Sequence, residues 1–152
     1  MPSVAVIMGS RSDEPVMQGC TEALESLGIS YEVRVLSAHR APERLREYLL
    51  QAKTRGVLVF IAAAGGAAHL PGVVASWTTQ PVIGVPLPSS ELKGIDALYS
   101  IVQMPPGVPV AAVSVGSWGA RNAAYLAAQI VGQTDAKVRE AYEAFRAKQA
   151  EA

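Results

Sequence analysis

Val57-Leu58-Val59-Phe60-Ile61 is apolar at all five positions. A strand with one face in water alternates apolar and polar residues, whereas a strand covered on both faces is apolar throughout. The segment therefore reads as a central strand of a parallel sheet. Working outward from it, strand-like runs recur at Val4–Met8, Tyr31–Leu36, Val57–Ala62, Val82–Val85 and Val110–Val115. Helical periodicity fills the gaps between them. Strand and helix patterns that alternate from end to end predict an α/β fold.

The helices carry their own start and stop signals. Val16, Cys20, Leu24 and Leu27 share one face of the first, and Leu45, Tyr48, Leu49 and Ala52 one face of the second. Gly28 and Gly56 end these helices by tolerating a left-handed cap, and Pro42 opens the second where no amide is lost. Ala120–Val131 is helical but rich in alanine on nearly all sides, which predicts burial in the centre of the domain or at a subunit interface. Val138, Ala141, Tyr142 and Phe145 form a narrow stripe on a final polar helix, suited to docking on its own domain or on a neighbour's. Six of the ten prolines lie between Pro81 and Pro109, marking ordered loops around a short helix near Asp96–Val102. No repeat or linker interrupts the chain, so residues 1–152 read as one domain with 133–152 as a helical extension.

A chain of 152 residues is the size of one domain, and such a domain buries roughly 68–70% of its unfolded surface. Half the residues are hydrophobic, 17% are charged, and the mean hydropathy is +0.23. This excess of apolar surface predicts an oligomer. Thirteen basic residues balance thirteen acidic ones without a basic stripe, which argues against nucleic acid or an anionic membrane as partner. The single cysteine, Cys20, excludes an internal disulfide and reads as a buried structural thiol. Met1-Pro2 leads straight into a strand, and the longest uncharged apolar stretch, Val57–Ala68, is too short to span a bilayer. A cytoplasmic, soluble protein is expected.

Three segments carry residues suited to chemistry, and each follows a strand. In an open parallel sheet ligands bind beyond the carboxyl ends of the strands. Met8-Gly9-Ser10-Arg11-Ser12-Asp13 supplies two hydroxyls, a glycine and a helix amino-terminus, a set that favours phosphate. The plainer alternative is a polar turn in which Ser12 or Asp13 caps the helix. Asp13 would repel a phosphate and is better suited to sugar hydroxyls. The spacing is neither a dinucleotide fingerprint nor a P-loop. Ser37-Ala38-His39-Arg40-Ala41-Pro42 offers a guanidinium for phosphate and an imidazole able both to give and to take a proton near neutrality. An imidazole satisfied by backbone at the strand end is the alternative for His39. In Ala64-Gly65-Gly66-Ala67-Ala68-His69-Leu70-Pro71, adjacent Gly65 and Gly66 let amides press against a flat ring or small anion, unless they serve turn geometry alone. His39 and His69 are the only histidines, and with one cysteine they make no familiar metal-ligand set. No nucleophile elbow is present.

Together these loops resemble class I N5-carboxyaminoimidazole ribonucleotide mutases of purine biosynthesis. Pro81-Val82-Ile83-Gly84-Val85-Pro86, Ser100-Ile101-Val102-Gln103-Met104-Pro105 and Gly107-Val108-Pro109-Val110 resemble the same family, in order, from about Val4 to Gly132. The resemblance implies a flavodoxin-like three-layer α/β/α sandwich with a five-stranded parallel sheet and a C-terminal helix. It also implies a homo-octamer with sites at subunit contacts and a ribonucleotide substrate. The implied activity is that of an isomerase. It moves a carboxylate from the exocyclic nitrogen of an aminoimidazole ribonucleotide to C4, without metal, biotin or ATP. It makes His39 the catalytic acid and base. Ser10, Ser12, Asp13, Ser37 and Arg40 become substrate contacts, and Gly65, Gly66 and His69 face the base and its carboxylate.

Two positions depart from the family's habit. Glu14-Pro15 stands where many relatives have a tryptophan, and Trp118 occupies a site that is usually small. Two rivals remain on sequence grounds. One is a class II carboxylase acting on aminoimidazole ribonucleotide and carbon dioxide, whose Ala-Gly-Arg-Ser-Asn type loop differs from Ala64–His69 here. The other is a non-catalytic mononucleotide-binding module, which gives His39 and His69 no joint purpose.

Overall fold

Val4–Met8 (β1) pairs in parallel with Tyr31–Val35 (β2) on one side and with Val59–Gly65 (β3) on the other. In this computed structural model, which describes residues Met1–Ala152, Val82–Leu87 (β4) and Ala111–Ala112 (β5) complete an all-parallel sheet. The strand order is β2-β1-β3-β4-β5. That order is the doubly wound arrangement of flavodoxin-like folds, as the resemblance implies. Six helices follow the strands: Glu14–Ser26 (α1), Pro42–Ala52 (α2), Leu70–Trp77 (α3), Ile95–Val102 (α4), Ser117–Val131 (α5) and Ala136–Ala150 (α6).

The two-residue period of the strands divides the core into two layers. Val4, Val6, Met8, Val59, Ile61 and Ala63 face α1 and α5, packing on Met17, Cys20, Leu24 and Ala124. Ala5, Ile7, Phe60, Ala62 and Ala64 face the opposite way, onto Leu45, Leu49, Val74 and Ile101 of α2, α3 and α4. Because both faces are covered, β1 is buried along its whole length, which is why its sequence shows no alternation. Burial also pushes the Cys20 thiol up to about 12, the state of an inert structural cysteine.

The helix signals act as expected. Leu45, Tyr48, Leu49 and Ala52 are the buried face of α2, and Pro42 is its first residue. Gly28 follows α1 at φ +69°, whereas Gly56, at φ +87°, closes a short turn over Lys53–Arg55 that follows the end of α2 at Ala52. On α1 the buried face is Met17, Cys20, Ala23 and Leu24, with Val16 only half-buried. The alanines of α5 form one buried face, while Arg121, Asn122 and Gln129 are exposed. Close approach needs small residues there. A Cβ on Gly19 of α1 would lie 3.0 Å from Arg121 Cγ of α5. Asp135 caps α6 by accepting from the amides of Lys137 and Val138, and Phe145 stacks on Tyr125 at 4.5 Å. The terminal stripe thus docks on α5 of its own chain.

Strand boundaries are where sequence and structure differ. The central strand starts at Val59, not Val57, and runs on to Gly65. Val57 is buried, but Leu58 is 42% exposed and sits before the ladder, its amide bonded to Ser3 O. An apolar run does not mark where pairing begins. β4 extends through Pro86 to Leu87, because β5 pairs only with Ile83 and Gly84 and leaves the outer edge open for a residue without N–H. β5 itself shrinks from the expected Val110–Val115 to two residues, after which single bonds from Val113 and Gly116 tether the chain to β4. No helix is long and apolar enough to cross a membrane.

Candidate active site

The strand order reverses between β1 and β3, and the loops leaving them open a crevice at the carboxyl edge of the sheet. In the β1 loop, Ser10 is extended, with φ −151° and ψ 151°, and its Oγ accepts from the Ser12 amide at 3.3 Å. The two hydroxyls lie 2.9 Å apart. Ser10, and neither Ser12 nor Asp13, caps the turn over Arg11–Asp13, while Asp13 makes no capping bond to α1. Asp13 is instead buried, the only charged residue of the chain that is. Burial raises its carboxyl above the usual aspartate range, opposed by the Ser10 backbone and the Arg40 charge.

The β2 loop folds back on itself. Ser37 Oγ accepts from Arg40 N at 3.1 Å and from Arg40 Nε at 3.4 Å, and Arg40 Nη2 reaches Gly9 O at 3.5 Å. Both ion pairs of the chain centre on Glu32, so Arg40 is held by neutral acceptors with its charge unpaired. Ala41 supplies no side-chain cap to α2, which leaves the first amides of that helix open beside the guanidinium.

The β3 loop brings the second histidine over. Gly66 takes φ +61°, Ala68 is buried, and His69 N donates to Ala67 O at 2.8 Å to enter α3. His39 Nε2 then lies 2.7 Å from His69 Nδ1, with the rings edge to face at 86°. One of these nitrogens donates and the other accepts. His39 is therefore satisfied by a side chain, not by backbone as the plainer sequence alternative had it.

The three loops enclose a cleft of about 360 Å³, lined by Ser10, Ser12, Asp13, Ser37, His39, Arg40, Gly65 and His69 among others. Gly66 is not among the lining residues; it turns the loop through its left-handed backbone. Ser89, which sequence reasoning missed, does line the cleft. Its position just beyond β4 was the available signal, by the same carboxyl-end rule that picked out the other loops. A larger hollow of about 550 Å³ lies between α1 and β2, against Met17, Tyr31 and Val33, and neither histidine reaches it. Pro15 sits in the first turn of α1 on the rim of that hollow, and Trp118 is 72% exposed at the start of α5. Neither departure lines the cleft. No three His, Cys, Asp or Glu side chains converge as a metal-ligand set.

Comparison with known proteins agrees with this architecture. The chain is 53% identical over 147 residues to the N5-carboxyaminoimidazole ribonucleotide mutase of Vibrio cholerae, covering 97% of this chain and 91% of that protein. Against the protein of the same name from Saccharolobus solfataricus it is 60% identical over 132 residues, 87% of this chain and 82% of the relative. The crystal structure of Treponema denticola PurE superposes with a TM-score of 0.90 at 30% identity, covering 99% of this chain and 93% of that one. A family model described as AIR carboxylase matches residues 3–152, and with nearly the whole chain inside that match, the chain belongs to the AIR carboxylase family.

Proposed function

We propose that this protein is an N5-carboxyaminoimidazole ribonucleotide mutase, moving a carboxylate from the exocyclic nitrogen of its substrate to C4 of the imidazole. The observation that carries the reading is the cleft itself. It places one unpaired guanidinium, four serine hydroxyls, a buried carboxylate and a histidine pair along one crevice. Arg40, Ser37, Ser10 and Ser12 take the phosphate, Asp13 accepts from the ribose hydroxyls, and Gly65 and His69 face the base and its carboxylate. Relatives bearing that name at 53–60% identity support the substrate assignment.

In the scheme, protonated His39 gives its proton to the exocyclic nitrogen as the N–C bond of the carbamate breaks, releasing carbon dioxide within the cleft. C4 then attacks carbon dioxide, forming the new C–C bond. Neutral His39 removes the C4 proton and returns to its starting state. The isomerisation is redox-neutral, and because one imidazole gives a proton in the first step and regains one in the second, no proton is consumed. Keeping the two fragments together replaces a bimolecular recombination, an effect worth roughly 7–11 kcal/mol in favourable cases.

The same reading makes residues 1–152 one mutase domain, with 133–152 as its helical extension, working as a cytoplasmic homo-octamer. The outer side of α4 supports assembly: Ile95, Tyr99 and Val102 are 57%, 67% and 47% exposed, with Leu92 beside them at 64%. Contiguous apolar surface of this kind marks an interaction site.

The test incubates purified protein with N5-carboxyaminoimidazole ribonucleotide, without ATP, and follows the C4-carboxylated product. Conversion above the spontaneous rate is expected. Conversion at the spontaneous rate overturns the proposal, and a preference for aminoimidazole ribonucleotide plus carbon dioxide moves the protein to the class II reaction.

A further inference from the structure

Resting on the mutase reading, we infer that the Ser89 hydroxyl holds the migrating carboxylate and retains carbon dioxide at the β4 end of the cleft. The lining residues follow the order of the sheet. Ser37 and Arg40 come from β2, Ser10 to Asp13 from β1, Gly65 and His69 from β3, and Ser89 from β4. Neighbouring strands are about 4.8 Å apart, so the β1 and β4 ends are separated by roughly 10 Å. Arg40 leans over the β1 loop through its contact with Gly9 O, which fixes the anionic end of the substrate there. Ribose and imidazole then extend toward β4, and the group that reaches Ser89 is the one that moves.

The β4 loop is built to present this hydroxyl. Ser90 Oγ donates to Asp96 Oδ2 at 2.5 Å and accepts from the Leu92 amide at 3.2 Å, which pins the turn. Gly94, at φ +92°, packs so closely that a Cβ there would collide with Val115. Ser89, the residue before Ser90, has no hydrogen-bond partner within the chain and points its Oγ at Gly65. A Cβ on Gly65 would collide with that oxygen and lie 3.2 Å from Leu87 O. The missing side chain at Gly65 is therefore what admits the hydroxyl to the cleft. An O–H donor suits a carbamate or carboxylate oxygen, and it does not compete with His39 for the proton in flight.

The experiment measures partitioning. Parent, Ser89→Ala and Ser89→Thr proteins are given N5-carboxyaminoimidazole ribonucleotide in buffer stripped of carbon dioxide. The C4-carboxylated product and free aminoimidazole ribonucleotide are then separated by anion exchange. Losing a hydrogen bond to a charged group is expected to raise the fraction released as aminoimidazole ribonucleotide about tenfold in Ser89→Ala. Affinity for the C4-carboxylated product's phosphate end, read with ribose 5-phosphate, should stay within about twofold, and Ser89→Thr should return the partition toward the parent value. Parental partitioning in Ser89→Ala overturns the inference, as does a Ser89→Thr protein that leaks as much as Ser89→Ala. If the parent itself forms no C4 product, the mutase reading fails first and this inference with it.

Discussion

Replacing His39 with asparagine separates proton transfer from binding. The imidazole lies on the cleft wall, exposed, and its one side-chain bond within the chain is the 2.7 Å contact to His69. Removing a bond between exposed groups costs at most about 1.5 kcal/mol, so folding stability should change little. The groups assigned to phosphate and ribose, namely Ser10, Ser12, Asp13, Ser37 and Arg40, keep their own contacts, which do not pass through His39. Ligand affinity measured by calorimetry should therefore remain within about tenfold of the parent. Turnover should not. A positioned acid or base contributes roughly 10²- to 10⁴-fold, and here one group serves both steps, so a loss of about 10³-fold or more is expected in the absorbance assay for C4-carboxylated product. A variant that turns over within tenfold of the parent refutes the single-shuttle scheme. A variant whose affinity falls in step with its rate makes His39 a binding group.

Other perturbations probe the remaining parts. Arg40→Ala removes the one guanidinium lining the cleft, and KM should rise about 10- to 100-fold with a smaller change in kcat; an unchanged KM would place the phosphate elsewhere. Asp13→Asn addresses a carboxyl that burial raises above its usual value. The folded state binds this proton more tightly than the unfolded chain, so the stabilisation is complete at acid pH and lost as pH rises through the folded value. The variant should melt higher than the parent at pH 7, the difference should shrink toward pH 4, and substrate affinity should fall. A lower melting temperature at pH 7 would contradict this sign. Ile95→Glu with Tyr99→Glu charges the exposed face of α4 and should reduce the assembled mass seen by light scattering while leaving helix content intact; an unchanged mass would place the subunit interface elsewhere.

The fold was legible because its strongest signals are one-dimensional. Val59–Ala64 is apolar throughout because β3 lies between β1 and β4 with helices on both faces, and Leu45, Tyr48, Leu49 and Ala52 recur at helical spacing because one side of α2 is buried. What stayed hidden depends on neighbours in space. Leu58 is as apolar as Val59 yet stands outside the ladder, and β5 is cut to two residues by the path of the following loop. The site shows the same division. His39, Arg40 and the Ser10–Asp13 loop stand out by type and position. The bond between His39 and His69 joins residues 30 apart, and Ser89 is a serine in a proline-rich loop until Gly65 is seen beneath it.

The two ends of β2 show why that edge of the sheet, and not another, is built for chemistry. Near its start, burial pushes the Glu32 carboxyl up, but the Tyr48 hydroxyl and the Arg55 and Arg34 guanidinium groups outweigh this and hold it below the usual range. Every charge in that cluster has an opposite neighbour, and the cluster ties α2 to the sheet. Past the other end of the same strand, Arg40 hydrogen-bonds only a hydroxyl and a carbonyl, and Asp13 is buried without a side-chain donor, its carboxyl held above the usual range although the Arg40 charge pulls it down. A folded chain gains by satisfying such groups from within, as it does around Glu32. Leaving a cation open and a carboxylate raised at the strand order's reversal point lowers stability there, and it leaves both groups free to be satisfied by a ligand that carries a phosphate and hydroxyls.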